Sequence, residues 1–487
     1  MKIKSTVLCG IIIFFLFIIA IFFHLDSWGT ATTLSESTEQ IMRTHKIPAC
    51  VTAIINNDII EYDGNTNFGE KLSKKSLFLS GGVTEILTGL SLNLLFDEKK
   101  LSPDDTISKF YPWLVFNYEN KPVEITIRQL ASHSSGIPLR TQDELFGDDY
   151  DGMLRSAMHG VSGSNLSFKP GTSYNHVQTD YAILAFIIEK VTGISWSDYV
   201  TENVIKPMGL FNTYIGYENV PETARIIKGS RTCALFTLDY DIKLNSANAP
   251  SKGMLTCAED LTYLVRMLSG DIPAPEPLSK AIETLMTGTD CAYSPDEINS
   301  DAYFGGVFFS KEPGTFYLNG EMENFSTSIL YNTEKKQGAV VQCSGMKAPS
   351  GKILENCLKE LEEKDDFLIS FISTETFNII DSFLCVVIVY FCIVNIIAIN
   401  KPRKKSYSKF RSALGIILTA FYMASMALLP FYLDYTYRML YCESILMLVI
   451  VIGLSQIFGI INLCRLFKNR KNARKKAGYM TASGSYF

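Results

Sequence analysis

The chain has 487 residues, 47% of them hydrophobic, with 45 Lys and Arg against 50 Asp and Glu. That length and apolar content support one large domain or two ordinary ones with a full core. The basic residues gather near the C-terminus, in residues 401–411 and 465–476, and leave an acidic middle region that argues against nucleic acid as a partner.

From the N-terminus, Lys2 and Lys4 precede an apolar run at residues 11–23. Three further apolar runs, at 377–399, 414–432 and 445–466, follow the long middle region. A helix needs about 20 mostly apolar residues to cross a bilayer core, and the three C-terminal runs are near that length. Their flanking charges alternate as the positive-inside rule requires. The expectation is therefore a multi-pass protein of the cell membrane. Its middle region lies outside, and the basic 401–411 loop and 468–476 tail lie inside. Residues 1–32 read as a signal anchor or a signal peptide; the anchor is preferred, because the run lacks a small-x-small cleavage site. Asp381, near the outer end of the first C-terminal span, reads as an interfacial carboxylate rather than an intramembrane functional acid.

Residues 33–363 read as one exported globular unit, and 364–487 as the three spans with their basic loop and tail. Two β-rich stretches, Cys50 to Ile55 and Ile59 to Tyr62, flank the polar Asn56-Asn57-Asp58 and predict a hairpin. Helical patterns follow at 84–98, 127–132 and 180–192. Residues 326–332 and 338–342 form a second strand pair around Glu334-Lys335-Lys336. The stretch 352–362 has helical spacing, with Ile353, Leu354, Leu358 and Leu361 on one face. This order suits an α+β fold: an antiparallel sheet built from both chain ends and flanked by helices, with an all-α lobe inserted between.

Six cysteines fall in this region, namely Cys50, Cys233, Cys257, Cys291, Cys343 and Cys357. Their spacing matches neither a disulfide framework nor a zinc pattern, so disulfides and isolated thiols both stay open. The five histidines are not clustered along the chain. No metal site and no cofactor are expected.

Several stretches carry a family resemblance. LLFDEKKLSPDDTISKFYPWL runs from Leu94 to Leu114, and ITIRQLASHSSGIP from Ile125 to Pro138. Pro170-Gly171-Thr172 precedes a stretch from Tyr181 to Ile194, and Lys206 to Leu210 and Gly253 to Leu261 complete the series. Together they resemble the class C β-lactamase and D-alanyl-D-alanine peptidase family, the penicillin-binding-protein-like serine hydrolases, over most of residues 40–350. The resemblance implies a mixed α/β lobe, an all-α lobe and a cleft between them.

It also implies three catalytic motifs, and this chain departs from each. Where the family has Gly-Ser-x-Ser-Lys, alignment on Phe78 and Thr88 puts Gly82 at the nucleophilic serine and Glu85 at the lysine. Where it has Tyr-x-Asn, this chain reads His176-Val177-Gln178. Where it has a basic residue, a small residue and glycine, the chain reads Leu318-Asn319-Gly320. Acyl transfer needs a nucleophile and a group that activates it, and neither is supplied at these positions. Gly82, Glu85, His176, Gln178, Leu318 and Gly320 are expected to line a degenerate cleft. Ser80, Thr84 and His176 are the fallback nucleophile or base candidates, through a Thr84–His176 or a Glu85–His176 pair.

The resulting expectation is a membrane-anchored pseudoenzyme that binds a peptide, a cell-wall-like ligand or a partner protein without hydrolysing it. The alternative is an active membrane-bound serine hydrolase or D-amino-acid peptidase, of cell-wall or prodrug-maturing type, with a relocated nucleophile. A transport or immunity component with an extracytoplasmic receptor ranks third, because the spans lack a polar stripe.

Overall fold

The alternation of small and large apolar residues in the first hairpin sets the architecture. In the computed structural model, which describes residues 31–147, 152–233, 236–288, 302–345, 348–364, 367, 409–432 and parts of 450–467, β1 (Ala49–Asn56) pairs with β2 (Ile59–Thr66) as the pattern predicts. Ala49, Val51, Ala53 and Ile55 turn to the main core, while Cys50 turns to a smaller cluster on the other face. That is the period-two consequence of a pleated strand covered on both sides. The smaller cluster is filled by α1 (Leu34–His45), through Ile41 and Met42, and by the C-terminal helix of the unit, through Ile353, Leu354 and Cys357. Thr33 caps α1 by accepting from Glu36 N–H, and Lys46 ends it in the left-handed region at φ 57°.

An early and a late segment of this unit meet in this sheet. A short strand β3 (Phe78–Leu79) leads through a tight 3₁₀ turn, Gly81–Thr84, into α2 (Glu85–Asp97). Residues Glu85 to Leu95 of α2 are buried all round, the mark of a helix enclosed by its neighbours. After it come α3 (Ile127–Ala131), closed by a Thr126–Gln129 capping box, and α4 (Gln178–Thr192), ended by Gly193 at φ 79°. β4 (Tyr214–Ile215) and β5 (Met254–Thr256) join β3 in a three-stranded sheet in the order β3-β5-β4, which the sequence patterns did not anticipate.

Five later strands belong to the main sheet: β6 (Ala302–Phe304), β7 (Val307–Phe309), β8 (Thr315–Glu321), β9 (Phe325–Asn332) and β10 (Gln337–Ser344). They complete a seven-stranded sheet ordered β6-β7-β8-β9-β10-β1-β2. Its named pairs are antiparallel, and β10 meets β1 from Ala49↔Ser344 to Asn56↔Gln337. The α+β expectation holds, including the sheet built from both ends of this unit. The C-terminal helix α5 (Ser350–Leu361) matches the expected pattern within two residues.

Two close approaches bring the sheet against α2. The β6–β7 turn holds Gly305 at φ 58° and Gly306 at φ 90°. A Cβ on Gly306 would fall 2.3 Å from Ile86 N, and one on Gly89 would fall 2.1 Å from Gly305 O. Glycine is required where backbone touches backbone in this way, and the contact delivers Tyr303 to the start of α2.

Cys50 and Cys343 are register partners with Sγ atoms 3.4 Å apart, and both are free thiols, as are Cys257 and Cys357. Cys291 lies outside the described residues.

The chain divides into two compact units, residues 24–232 with 236–374, and residues 1–23 with 233–235 and 375–487. The elements above belong to the first. In the second, a helix runs from Lys409 to Tyr432 and includes the expected 414–432 span. Among the described residues no helix is long and apolar enough to cross a membrane. The apolar runs at 11–23 and 377–399, half of 445–466, and Asp381 lie outside the described residues.

Candidate functional site

The turn that should carry a nucleophile is closed by backbone. A Cβ on Gly82 would lie 2.9 Å from Asn319 O, and one on Gly320 only 1.8 Å from Ser80 O. Gly81, at φ 54°, lies equally close, with its Cβ position 3.0 Å from Gly320 C. The 3₁₀ turn and β8 therefore touch main chain to main chain, and only glycine at positions 82 and 320 permits it.

The fallback nucleophiles are turned away. Ser80 and Thr84 are both fully buried. Thr84 Oγ1 accepts from Met254 N–H at 3.2 Å, and His176 faces Glu85 rather than Thr84. Leu318 corrects a further expectation: it packs in the main apolar core rather than lining a cleft. Gln178 begins α4, and its N–H donates to Gln142 Oε1 at 2.8 Å.

Glu85 is the centre of what remains. Its side chain is 1% exposed, yet it faces two histidines. His133 Nε2 lies 3.2 Å from Oε2, and His176 Nε2 lies 3.3 Å from Oε1. Tyr303 donates a short hydrogen bond to Oε2. Behind the first histidine, His133 Nδ1 lies 3.0 Å from Asp180 Oδ2, and Ser135 Oγ donates to Asp180 Oδ1 at 2.6 Å. Because an ionised carboxylate only accepts, the Nδ1 atom of His133 carries a proton. Tyr181 closes the ring, its hydroxyl 3.1 Å from that of Tyr303 and donating to Ala131 O at 3.1 Å.

His133 adopts φ 51° just beyond the end of α3. A non-glycine residue in the left-handed region costs free energy and is held there by its surroundings. Here those surroundings are the two carboxylates and an aromatic wall formed by Tyr174, Tyr181 and Tyr303.

Burial and charge oppose each other across this cluster. Burial, the strongest influence on Glu85, pushes its carboxyl upward, but the His176 and His133 charges and the His133 hydrogen bond win and hold it at about 2. Burial presses His133 downward, yet the Glu85 charge and the Asp180 and Glu85 hydrogen bonds raise it to about 9. Asp180 is raised by burial against the opposing pull of His133. Glu85 and His133 thus form a buried ion pair with Asp180 behind it. The hydroxyls beside the pair, Tyr303 and Ser135, are buried and donate to its carboxylates.

Only Glu85 and His176 of this cluster were site candidates in the sequence. His133 lay inside a motif used for the fold alone, while Asp180 and Tyr303 gave no signal. The links within the cluster span 47 to 218 residues. The absence of histidine clustering along the chain did not extend to space: Glu85, His133 and His176 bring possible ligand atoms within 4.8 Å of one another. Two hollows lie elsewhere. One of about 870 Å³ is lined by residues including Arg155, Phe186, Lys190 and Trp196, and one of about 770 Å³ by residues including Pro207, Phe211, Asp260 and Tyr263.

Residues 34–356 match the family model described as beta-lactamase. The chain belongs to the beta-lactamase family. It is 27% identical over 258 residues to Protein flp of Staphylococcus aureus, covering 53% of this chain and 51% of that protein. The chain thus spans about half the length of this curated relative. Among solved structures, the octameric penicillin-binding protein homologue of Pyrococcus abyssi aligns at TM-score 0.57 with 20% identity, covering 68% of this chain and 77% of the other. A class C beta-lactamase aligns at 0.56 with 14% identity, covering 67% and 95%. At these identities the structural matches establish the beta-lactamase-like α+β fold. Within that fold, Gly82 and Glu85 stand where the resemblance places the family's serine and lysine.

Proposed function

We propose that this chain is a non-hydrolysing member of the beta-lactamase family: a membrane-anchored binding domain that recognises a peptide or cell-wall-like ligand, or a partner protein, on the outer side of the membrane. One observation carries the reading. At the nucleophile's position stands Gly82, where even a Cβ would fall 2.9 Å from the Asn319 carbonyl oxygen and force a shift. With no nucleophile, covalent acyl transfer has no first step, and removing a nucleophile from a serine hydrolase costs roughly a millionfold in turnover. Glu85, in the lysine's place, carries the opposite charge and is engaged with two histidines. The membrane anchor rests on the apolar runs and the alternation of their flanking charges. A relocated nucleophile finds no support, because Ser80 and Thr84 are shut away from solvent.

The test is covalent labelling of membranes containing the full chain with a fluorescent penicillin and a fluorophosphonate. Neither reagent is expected to label the protein. Labelling that disappears in Ser80→Ala or Thr84→Ala would overturn the proposal and reveal a hydrolase.

A further inference from the structure

Glu85, His133 and His176 reach one point from three separate segments: the start of α2, the residue beyond the cap of α3, and the approach to α4. We propose that these three side chains bind a divalent transition-metal ion, with zinc(II) the best match to the donor set.

Two imidazole nitrogens and one carboxylate oxygen suit zinc and its neighbours far better than magnesium or calcium, which favour all-oxygen shells. Tetrahedral zinc with bonds of about 2.0–2.1 Å sets its donor atoms roughly 3.3 Å apart. With Glu85 Oε1 as the donor, His176 Nε2 lies at that separation, 3.3 Å, while His133 Nε2 lies 3.2 Å from the other oxygen, Oε2; the three ligand atoms lie within 4.8 Å of one another, so an ion would draw them slightly together. A hydrogen bond or ion pair also produces such separations, so the assignment rests on three further features.

The first is Glu85 Oε1. It is buried and has no hydrogen-bond partner in acceptable geometry, although His176 Nε2 is 3.3 Å away. Oε2 is already taken by Tyr303. The carboxylate therefore has one oxygen engaged and one directed at the second histidine, with a lone pair to give.

The second is the support behind His133. Asp180 holds Nδ1 at 3.0 Å and is itself held by Ser135. This carboxylate–histidine pairing fixes the tautomer that directs Nε2 at a metal. An ion there takes the place of the proton between His133 Nε2 and Glu85, and that proton passes to solvent.

The third is access. Glu85 and His133 are buried, whereas the His176 side chain is 44% exposed. Three protein ligands with an open outer side leave a position for water or for an anionic oxygen of a ligand. The ion would also restore positive charge at the point where Glu85 replaces the family's lysine. The binding of metal does not depend on whether the chain hydrolyses anything, so its test is separable from labelling.

The experiment uses the tag-free full chain in mild detergent, stripped with chelator. Zn²⁺ is titrated against a chromophoric chelator, and Co²⁺ binding is followed by visible absorption. One equivalent of Zn²⁺ is expected to bind, and Co²⁺ should give the intense bands of a four- or five-coordinate site. His176→Ala, a change at an exposed side chain, should weaken Zn²⁺ at least about 100-fold, and Asp180→Asn about 10- to 100-fold. His159→Ala, at an exposed histidine stacked on Trp113, should change nothing. Absence of binding, equal binding of Mg²⁺, or Zn²⁺ affinity untouched by His176→Ala would each overturn the proposal.

Discussion

His133 Nε2 lies 3.2 Å from Glu85 Oε2, and both side chains are essentially sealed from solvent. Removing one member of a buried ion pair strands the other charge, typically at a cost of about 3–5 kcal/mol. Glu85→Ala is therefore expected to destabilise the metal-free protein by about that amount, measured by urea denaturation. Glu85→Lys, which restores the residue type of the family motif, should be worse still, because it sets a second cation against His133. A Glu85→Lys protein as stable as the natural one would show that the pair contributes nothing.

The same pair has a pH signature in metal-free protein. Glu85 sits at about 2 against an ordinary value of 4.5, so its contribution is complete above 4.5 and is lost as pH falls toward 2. His133 sits at about 9 against 6.5, so its contribution is complete below 6.5 and is lost as pH rises through 9. The two limbs describe one interaction, on the order of 3 kcal/mol, and leave a plateau between about pH 4.5 and 6.5. Asp180, raised by burial, gains protons more readily in the folded state and blunts the acid limb. Urea midpoints measured against pH with chelator present should trace this plateau in the natural protein. The alkaline limb should flatten in Glu85→Gln.

How much of this was legible in the sequence follows from what each feature depends on. The β1–β2 hairpin, the β9–β10 pair and α5 were readable because alternation and helical spacing are local properties. The departure from the family motif at Gly82 and Glu85 was readable because those positions sit in a motif of fixed spacing. The Glu85–His133–Asp180 chain was not, since three distant segments must fold before its members meet. Leu318 was misplaced because a motif position alone does not tell which strand neighbours will enclose it. His133 was hidden for a different reason: its left-handed backbone and inward ring depend on Asp180, 47 residues away.

The glycine contacts between the 3₁₀ turn and β8 yield a steric prediction. A methyl on Gly320 would fall 1.8 Å from Ser80 O, and the obstacle is backbone that no rotamer change relieves. Gly320→Ala should cost about 1–3 kcal/mol or more, seen as a lower thermal midpoint. Gly351→Ala is the control, because its Cβ would meet nothing within 4 Å and it lies in α5. That variant should be neutral or more stable by up to about 1 kcal/mol. Gly82→Ser should fall between them, with its Cβ 2.9 Å from Asn319 O. Restoring the serine alone therefore should not restore labelling by penicillin.

A second buried ion pair lies where the segment before β5 meets the segment after β8. Lys252 Nζ donates to Glu323 Oε1 at 2.7 Å, with the side chains 2% and 4% exposed, and Lys252 also sits 5.2 Å from the Phe146 ring centroid. Glu323 Oε2 has no hydrogen-bond partner, so the pair is under-satisfied and its net value depends on the attraction between the two charges. Lys252→Met should leave Glu323 buried and uncompensated, at about 3–5 kcal/mol. Adding Glu323→Gln removes the stranded charge and should recover much of that loss, because a neutral amide costs far less to bury than a carboxylate. A double-mutant cycle by urea denaturation reads the coupling directly. Additive losses in the double variant would mean that the two side chains do not compensate each other, and that the close contact contributes little to holding β8 against the segment before β5.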